Sequence, residues 1–351
     1  MSSKNPLVAA VILNWNGKHW LEQFLPSVMA STYSNLNIVV GDNCSTDDSI
    51  EFLESNYPSI SIIKNETNLG FAGGYNEVLK KVEADYYILL NSDVEVTENW
   101  IQPVINYLEA NSSMAAAQPK IKSFYEKDKF EYAGAAGGFI DKNGYMFCRG
   151  RLFNTTEIDT HQYDYNSEIF WASGACLFIK APIYHKVGGL DELFFAHQEE
   201  IDLCWRLQNA GYKIGYCSSS NVYHVGGGML AKSNPKKTFL NFRNSLFLLY
   251  KNVSTSQLFF LFPKRFVLDF IAALQFALKG NFADSIAVLK AYYSFSNNLS
   301  ALSVNKKNMK QSKIFIHNSF QKNNPTFYNG SIVWEHFIKG KTKFCEIIFK
   351  G

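Results

Sequence analysis

The stretch Tyr86-Tyr87-Ile88-Leu89-Leu90-Asn91-Ser92-Asp93-Val94-Glu95 decides how this chain folds. Five apolar or aromatic residues in a row, without alternation, predict a strand covered on both faces, as in the middle of a parallel sheet. The switch to Asn91-Ser92-Asp93 then puts a carboxylate at the carboxyl end of that strand. In open α/β sheets this edge is where ligands bind. A carboxylate there is costly unless neutralised, and a divalent cation holding a phosphate ester would neutralise it. A strand ending in a solvated acidic turn gives the same residues, and the stretch alone does not separate the two readings.

Upstream, the pattern repeats. Residues 8–13, 37–41 and 60–64 read as strands, and 18–30, 47–56 and 70–82 as the helices between them, the second opened by Ser45-Thr46-Asp47 as an N-cap cluster. Strand–helix alternation at this spacing predicts βαβ units and a doubly wound, mainly parallel sheet, an α/β fold with a Rossmann-like nucleotide-binding half. Each strand is followed by polar residues: Asn14-Trp15-Asn16-Gly17, Asp42-Asn43-Cys44-Ser45-Thr46-Asp47, Asn68-Leu69-Gly70-Phe71-Ala72-Gly73-Gly74-Tyr75-Asn76, and Asn91-Ser92-Asp93. Each cluster alone is an ordinary turn, cap or helix start. Four on one sheet edge describe a nucleotide pocket. The glycine run after the third strand is not a dinucleotide fingerprint, which would follow the first strand with different spacing.

Downstream the regularity fades. Residues 100–111 read as a helix, 120–168 as loops and short antiparallel strands, 169–179 as one apolar strand, and 198–210 as a helix. Runs at 213–218 and 222–225 read as strands and 238–251 as an aromatic helix. Residues 257–279 are apolar but broken by Pro263, Lys264, Arg265 and Asp269. No charge-free piece reaches the roughly 20 residues needed to cross a bilayer. This segment reads either as an interfacial helix pair with Lys264-Arg265 at the headgroups or as a helix docked on the catalytic domain. The expected organisation is a catalytic domain over 1–250, an apolar helical segment over 251–300 and a basic tail over 301–351.

At 351 residues the chain can bury a full α/β core with an appendage to spare. The aromatic share of 15% fits carbohydrate contact or a membrane-facing surface, and equally a biased composition. Six cysteines without a C-x-x-C pair favour reduced thiols in a cytosolic protein over a disulfide framework, and no signal peptide is evident. The net charge of +3 is uneven: from Ala301 onward nine Lys face only Glu335 and Glu346. Without a nucleic-acid-binding motif, this basic region suits an anionic membrane surface better than nucleic acid.

With Ser173-Gly174-Ala175, Glu199-Glu200-Ile201-Asp202-Leu203-Cys204-Trp205-Arg206 and His224-Val225-Gly226-Gly227-Gly228 added to the four clusters, the chain resembles family 2 glycosyltransferases of GT-A fold, especially the bacterial rhamnosyltransferase-like branch. The resemblance runs over about residues 7–250 with motif order intact. It implies an inverting transfer from a UDP- or dTDP-sugar to a glycan or lipid-linked saccharide in cell-envelope polysaccharide synthesis; the amphipathic stretch around Phe259 to Leu278 and the basic tail suggest that this takes place at the inner face of the plasma membrane. By the same resemblance Asp42 reads the pyrimidine base, Asn14 and Asn16 line the base and ribose pocket, and Asn68, Gly70 and Asn76 wrap the nucleoside and diphosphate beside Ser92. Asp93 would hold Mg²⁺ or Mn²⁺ on the diphosphate with His224 as a second ligand, since Asn91 is neutral and Glu95 points away. Glu200 would be the base, where the family has Asp; Glu199 would share the role. Asp202 and Arg206, four apart, read as a structural helix pair. Trp171 would stack on the acceptor sugar or sit in the core. The loop over 226–237 would close as a lid with Lys232, Lys236, Lys237 and Arg243. Two rivals remain: a sugar nucleotidyltransferase, which should show a G-x-G-T-R-type loop after strand one, and a non-catalytic sugar-nucleotide or glycan-binding relative.

Overall fold

The computed structural model describes residues 5–226, 234–312, 314–315, 320 and 323–349. Its first half alternates β1 (Val8–Asn14), α1 (Lys18–Met29), β2 (Leu36–Asp42), α2 (Ser49–Asn56), β3 (Ser61–Lys64), α3 (Gly70–Leu79) and β4 (Tyr86–Asn91). These strands pair in parallel in the order β3-β2-β1-β4. Because neighbouring side chains of a strand point to opposite faces, β1 and β4 each feed two cores. Val8, Ala10, Ile12, Tyr86, Ile88 and Leu90 join Leu21 and Leu25 of α1 on one face. Ala9, Val11, Tyr87 and Leu89 join Tyr75 and Val78 of α3 on the other. Burial on both faces is why the quoted run is continuously apolar.

Beyond β4 come β5 (Val94–Val96), α4 (Ile101–Glu109) and β6 (Met114–Ser123), then the short strands β7 (Gly138–Asp141), β8 (Met146–Cys148), β9 (Arg151–Leu152) and β10 (Thr155–Thr156). Next are β11 (Ser167–Ile169), β12 (Cys176–Lys180), α5 (Ala181–Lys186), α6 (Glu199–Asn209) and β13 (Lys213–His224). Two expectations are corrected. The apolar run 169–179 is not one strand: β11 sits at the sheet edge beside β13, while β12 lies antiparallel between β4 and β6. The break falls at Ser173, whose Oγ donates to Ala133 O (2.5 Å) and accepts from Ala175 N (3.2 Å), so side-chain bonds replace the ladder there. Conversely, 213–218 and 222–225 are one strand, β13, with a register shift between Cys217 and Asn221 that re-aims its last residues.

The chain continues through α7 (Pro235–Asn252), α8 (Thr255–Leu278), α9 (Phe282–Asn297) and α10 (Leu299–Gln311) to β14 (Phe327–Tyr328). β14 pairs in parallel with β7, in a second sheet ordered β10-β9-β8-β7-β14. The stretch expected as a basic tail therefore contributes a strand to the body. Buried Asp141 of β7 accepts from Ile332 N (2.8 Å), and Phe344 and Phe349 pack on Phe139.

Candidate active site

A cavity of about 500 Å³ opens at the carboxyl edge of the main sheet. Asn14, Asn68, Gly70, Ser92, Asp93, Trp171, Glu199, Glu200 and His224 all line it. Asn14 is fully buried; its Nδ2 donates to Asp42 Oδ1 (3.2 Å) and Ser45 Oγ (3.1 Å), leaving its Oδ1 without a partner. Such an atom invites a ligand donor. A Cβ on Gly17 would come 2.6 Å from that oxygen, so glycine keeps the acceptor accessible.

Three other expected donor contacts are spent on scaffolding. Asp42, outside the cavity lining, accepts from Asn14 and from Ser45 N (2.9 Å). Asn16, in a left-handed turn at φ 50°, accepts from Thr46 N (2.7 Å) and Asp47 N (3.3 Å). Asn76 donates to Leu190 O (2.9 Å) and accepts from Tyr184 Oη (2.6 Å), pinning α3 to the chain before α6. Asn43, which the sequence reading did not single out, organises the site instead: it donates to Asn68 Oδ1 (3.0 Å) and Gly70 O (2.9 Å). Gly70 has φ 71°, and a Cβ there would lie 2.5 Å from the Phe195 ring. Exposed Trp15 also lines the cavity, as a face on which a base can stack.

At the end of β4, Asp93 meets His224 from the end of β13. His224 Nε2 lies 3.2 Å from Asp93 Oδ1, and its Nδ1 lies 3.4 Å from Glu131 Oε2, within ion-pair range but outside hydrogen-bond geometry. Burial works against a charged ring, but Asp93 and Glu131 outweigh it and push His224 up to about 10. Asp93 and His224 Nε2 together offer an oxygen and a nitrogen to Mn²⁺ or Mg²⁺, while Glu131 sits at the opposite ring nitrogen, where it can orient the imidazole. The residues present fit such an ion. Glu131 was missed from sequence because it stands alone in an irregular loop. Glu95 does point away, to Lys127 Nζ at 2.7 Å. Among the described residues, Asp159, His161 and Asp164 are the three whose ligand atoms lie close enough to share one ion, but none lines the cavity and Lys120 already bonds both aspartates.

The opposite wall is built from α6 and the strap before it. Phe195, His197 and Gln198 all have positive φ (62°, 70° and 69°), a conformation that costs non-glycine residues free energy unless the surroundings impose it. Here α7 imposes it. Fully buried Asn244 donates to the carbonyls of Phe194 (3.1 Å), Ala196 (2.8 Å) and His197 (2.6 Å). Arg243 donates to Phe194 O (2.8 Å), so it is a clamp on the strap and not part of a lid. The strap presents the first turn of α6. Burial pushes Glu200 up to about 7, against the pull of nearby backbone N–H groups including that of Gly174. Burial and then Glu200 hold Glu199 well above the usual carboxylate range. Glu199 Oε2 and Glu200 Oε2 have no hydrogen-bond partner. One turn on, burial opposes ionisation of Asp202 too, yet Lys251 and Arg206 outweigh it and hold Asp202 down at about 2. Asp202 accepts from Arg206 Nε (2.7 Å), Lys251 Nζ (2.8 Å) and Asn252 Nδ2 (2.9 Å), so the expected helix pair is part of a larger buried knot.

Trp171 lines the cavity but is almost wholly buried, with Nε1 bonded to Phe139 O (3.1 Å) and its ring against Gly138. Lys236 and Lys237 line the cavity from the first turn of α7; Lys232 lies outside the described residues.

A mainly parallel sheet with β12 inserted antiparallel, and a cavity at its carboxyl edge, define a domain of GT-A fold. Residues 9–175 match the model described as Glycosyl transferase family 2. Among curated relatives, the N-acetylglucosaminyl-diphospho-decaprenol L-rhamnosyltransferase of Mycobacterium tuberculosis is 26% identical over 224 residues, covering 59% of this chain and 72% of the relative. Among solved structures, S. aureus TarS 1-349 in complex with UDP-GlcNAc matches with TM-score 0.56 and 12% identity over 95% of this chain and 92% of that one. GalNAc-T7 with UDP, GalNAc and Mn²⁺ matches with TM-score 0.55 and 15% identity over 71% of this chain and 48% of that one. The protein is a glycosyltransferase, similar to bacterial rhamnosyltransferases.

Proposed function

We propose that the protein moves one sugar, rhamnose or a hexose, from a dTDP- or UDP-linked donor to a hydroxyl of a glycan or lipid-linked oligosaccharide, with inversion, in cell-envelope polysaccharide synthesis. The observation that carries this reading is the placement of a base poised near neutrality, Glu200, across one cavity from the Asp93–His224–Glu131 cluster. The acceptor hydroxyl gives its proton to the ionised Glu200 carboxylate as its oxygen attacks the anomeric carbon. The bond to the nucleoside diphosphate breaks on the opposite face, and that group leaves with the electron pair. Base catalysis of this kind contributes about 10²–10⁴-fold. A bound Mg²⁺ or Mn²⁺, held by Asp93 and His224 beside Glu131, would neutralise charge on the diphosphate. Asn14 Oδ1, Asn68 and Ser92 would orient the donor, with the Gly70 turn letting backbone approach it. Buried Glu199, neutral, would donate to a sugar oxygen, and Trp171 would give the acceptor an apolar wall.

The lipid-linked acceptor is supported by the diphospho-decaprenol substrate named for the mycobacterial relative. It implies work at the cytoplasmic face of the membrane. Donor turnover with UDP- and dTDP-sugars in Mn²⁺ tests the reading: Glu200→Gln should lower it by about 10²–10⁴-fold, and Asp93→Asn should raise the Mn²⁺ requirement. Wild-type turnover in both variants would remove the catalytic assignment.

A further inference from the structure

Helices α8 and α9 are built inside out. A surface helix of a water-soluble domain turns its apolar stripe to the core and its charges to solvent. In α8 the charged pair Arg265 and Asp269 is fully buried. Arg265 donates to Asn143 O and Gly144 O (both 3.2 Å) and to Ser245 Oγ (3.0 Å). Asp269 accepts from Tyr145 Oη (2.8 Å) and Tyr292 Oη (2.9 Å). This knot fixes which side of the helix faces the protein. The opposite side carries Phe259, Phe266, Phe270, Leu274 and Leu278 at helical spacing, with Phe259 75% and Leu278 80% exposed. α9 continues the surface with Phe282, Ile286, Leu289 and Tyr293, all more than half exposed. An exposed patch of this extent on a monomer marks an interaction site.

The charges around the patch say what covers it. Along residues 255–311 the only carboxylates are Asp269, in the buried knot, and Asp284, bonded to Thr238 Oγ1 (2.6 Å). Lys264, Lys279 and Lys290 are exposed beside the apolar ridge, and α10 adds exposed Lys307 and Lys310. An apolar stripe flanked by cations alone matches an anionic lipid surface, where acyl chains take the rings and headgroups take the ammonium groups. Among the described residues no helix is long and apolar enough to cross a membrane, so contact would be from one side.

We infer that the outward face of α8 and α9 is a bilayer-docking surface selective for anionic lipid. It also locates the cavity. α9 packs along α7, and the first turn of α7 lines the cavity with Lys236, Lys237 and Leu240. Docking on this face brings one wall of the cavity to the membrane side of the protein, where a lipid-linked acceptor would be presented. That last step rests on the proposed acceptor; the docking itself does not.

The test is flotation of the full chain with vesicles of phosphatidylcholine alone and with phosphatidylglycerol added. Wild type should float with the anionic vesicles and lose them at high salt. Phe270→Glu/Leu274→Glu/Leu278→Glu should lower the partition coefficient by roughly 100-fold, with donor turnover per molecule unchanged. Lys264→Gln/Lys279→Gln/Lys290→Gln, which leaves the ridge intact, should abolish the preference for anionic vesicles. Wild type that floats with neither vesicle overturns the inference. So does a dimer in sedimentation velocity that the triple Glu variant dissociates without any vesicle binding, which would make the face an interface between copies. Loss of turnover with vesicle binding intact would instead count against the proposed reaction.

Discussion

The two walls of the cavity treat their polar side chains in opposite ways. On the wall built by β1, β2 and α3, most are mutually satisfied: Asp42, Asn16, Asn43 and Asn76 spend their hydrogen bonds on one another and on backbone, and Asn14 Oδ1 is the exception. On the wall built by the 195–198 strap and α6, buried polar atoms of His197, Gln198, Glu199 and Glu200 lack partners. A buried unsatisfied group costs about 1–3 kcal/mol. A fold that keeps several together, on a backbone of positive φ, holds them for a ligand. The first wall is a shaped mould that recognises, and the second is the reactive face. Within α6 the same contrast appears one turn apart, with Glu199 and Glu200 pushed up in the cavity while Asp202 is pulled down in its ion-pair knot.

The sharpest way to break this contrast is through the knot. Asp202→Asn removes the carboxylate that Arg206 and Lys251 share, leaving Lys251 only Asp191 and Arg206 only backbone carbonyls. Loss of about 3–5 kcal/mol is expected in urea unfolding at neutral pH. The sign follows from linkage: a folded-state value held near 2 contributes stability above the ordinary aspartate range, and this is lost as pH falls toward 2. The wild-type and Asp202→Asn unfolding curves should therefore converge in acid. A smaller effect, about 1–3 kcal/mol, is expected for Asn244→Ala, which frees three strap carbonyls. The strap leads into the helix turn that carries the base, and Phe195 O also accepts from Phe71 N (2.7 Å) beside the Gly70 turn, so kcat should fall by about tenfold or more with a smaller rise in KM for the donor. A parallel rise in donor KM would show that α7 supports the whole cavity and not the strap alone.

Much of this was legible in sequence because it depends on local pattern. The continuous apolar run before Asp93 marks a doubly covered strand, and four polar clusters after four strands share an edge whatever the details of packing. The illegible parts depend on contacts between distant segments. Asn16 and Asn76 sit in recognisable motifs, but only the fold reveals that their amides are consumed by Thr46 and Asp47 and by Leu190 and Tyr184. Glu131 has no periodic neighbours, and Asn244 acts on a strap some fifty residues earlier through backbone oxygens, which leave no mark in side-chain spacing. β12 was mistaken for part of a longer strand because periodicity cannot show the Ser173 turn that interrupts it.

The central claim is that Glu200, in a wall that leaves its Oε2 without a partner, is the base. It is tested most directly by the pH dependence of kcat/KM for donor and acceptor. The carboxyl must be ionised to act, so the profile should fall on the acid side through a pKa near 7. That limb should vanish in the residual activity of Glu200→Gln. A wild-type profile that stays flat down to the ordinary glutamate range, or a limb near 7 that survives in Glu200→Gln, would contradict it.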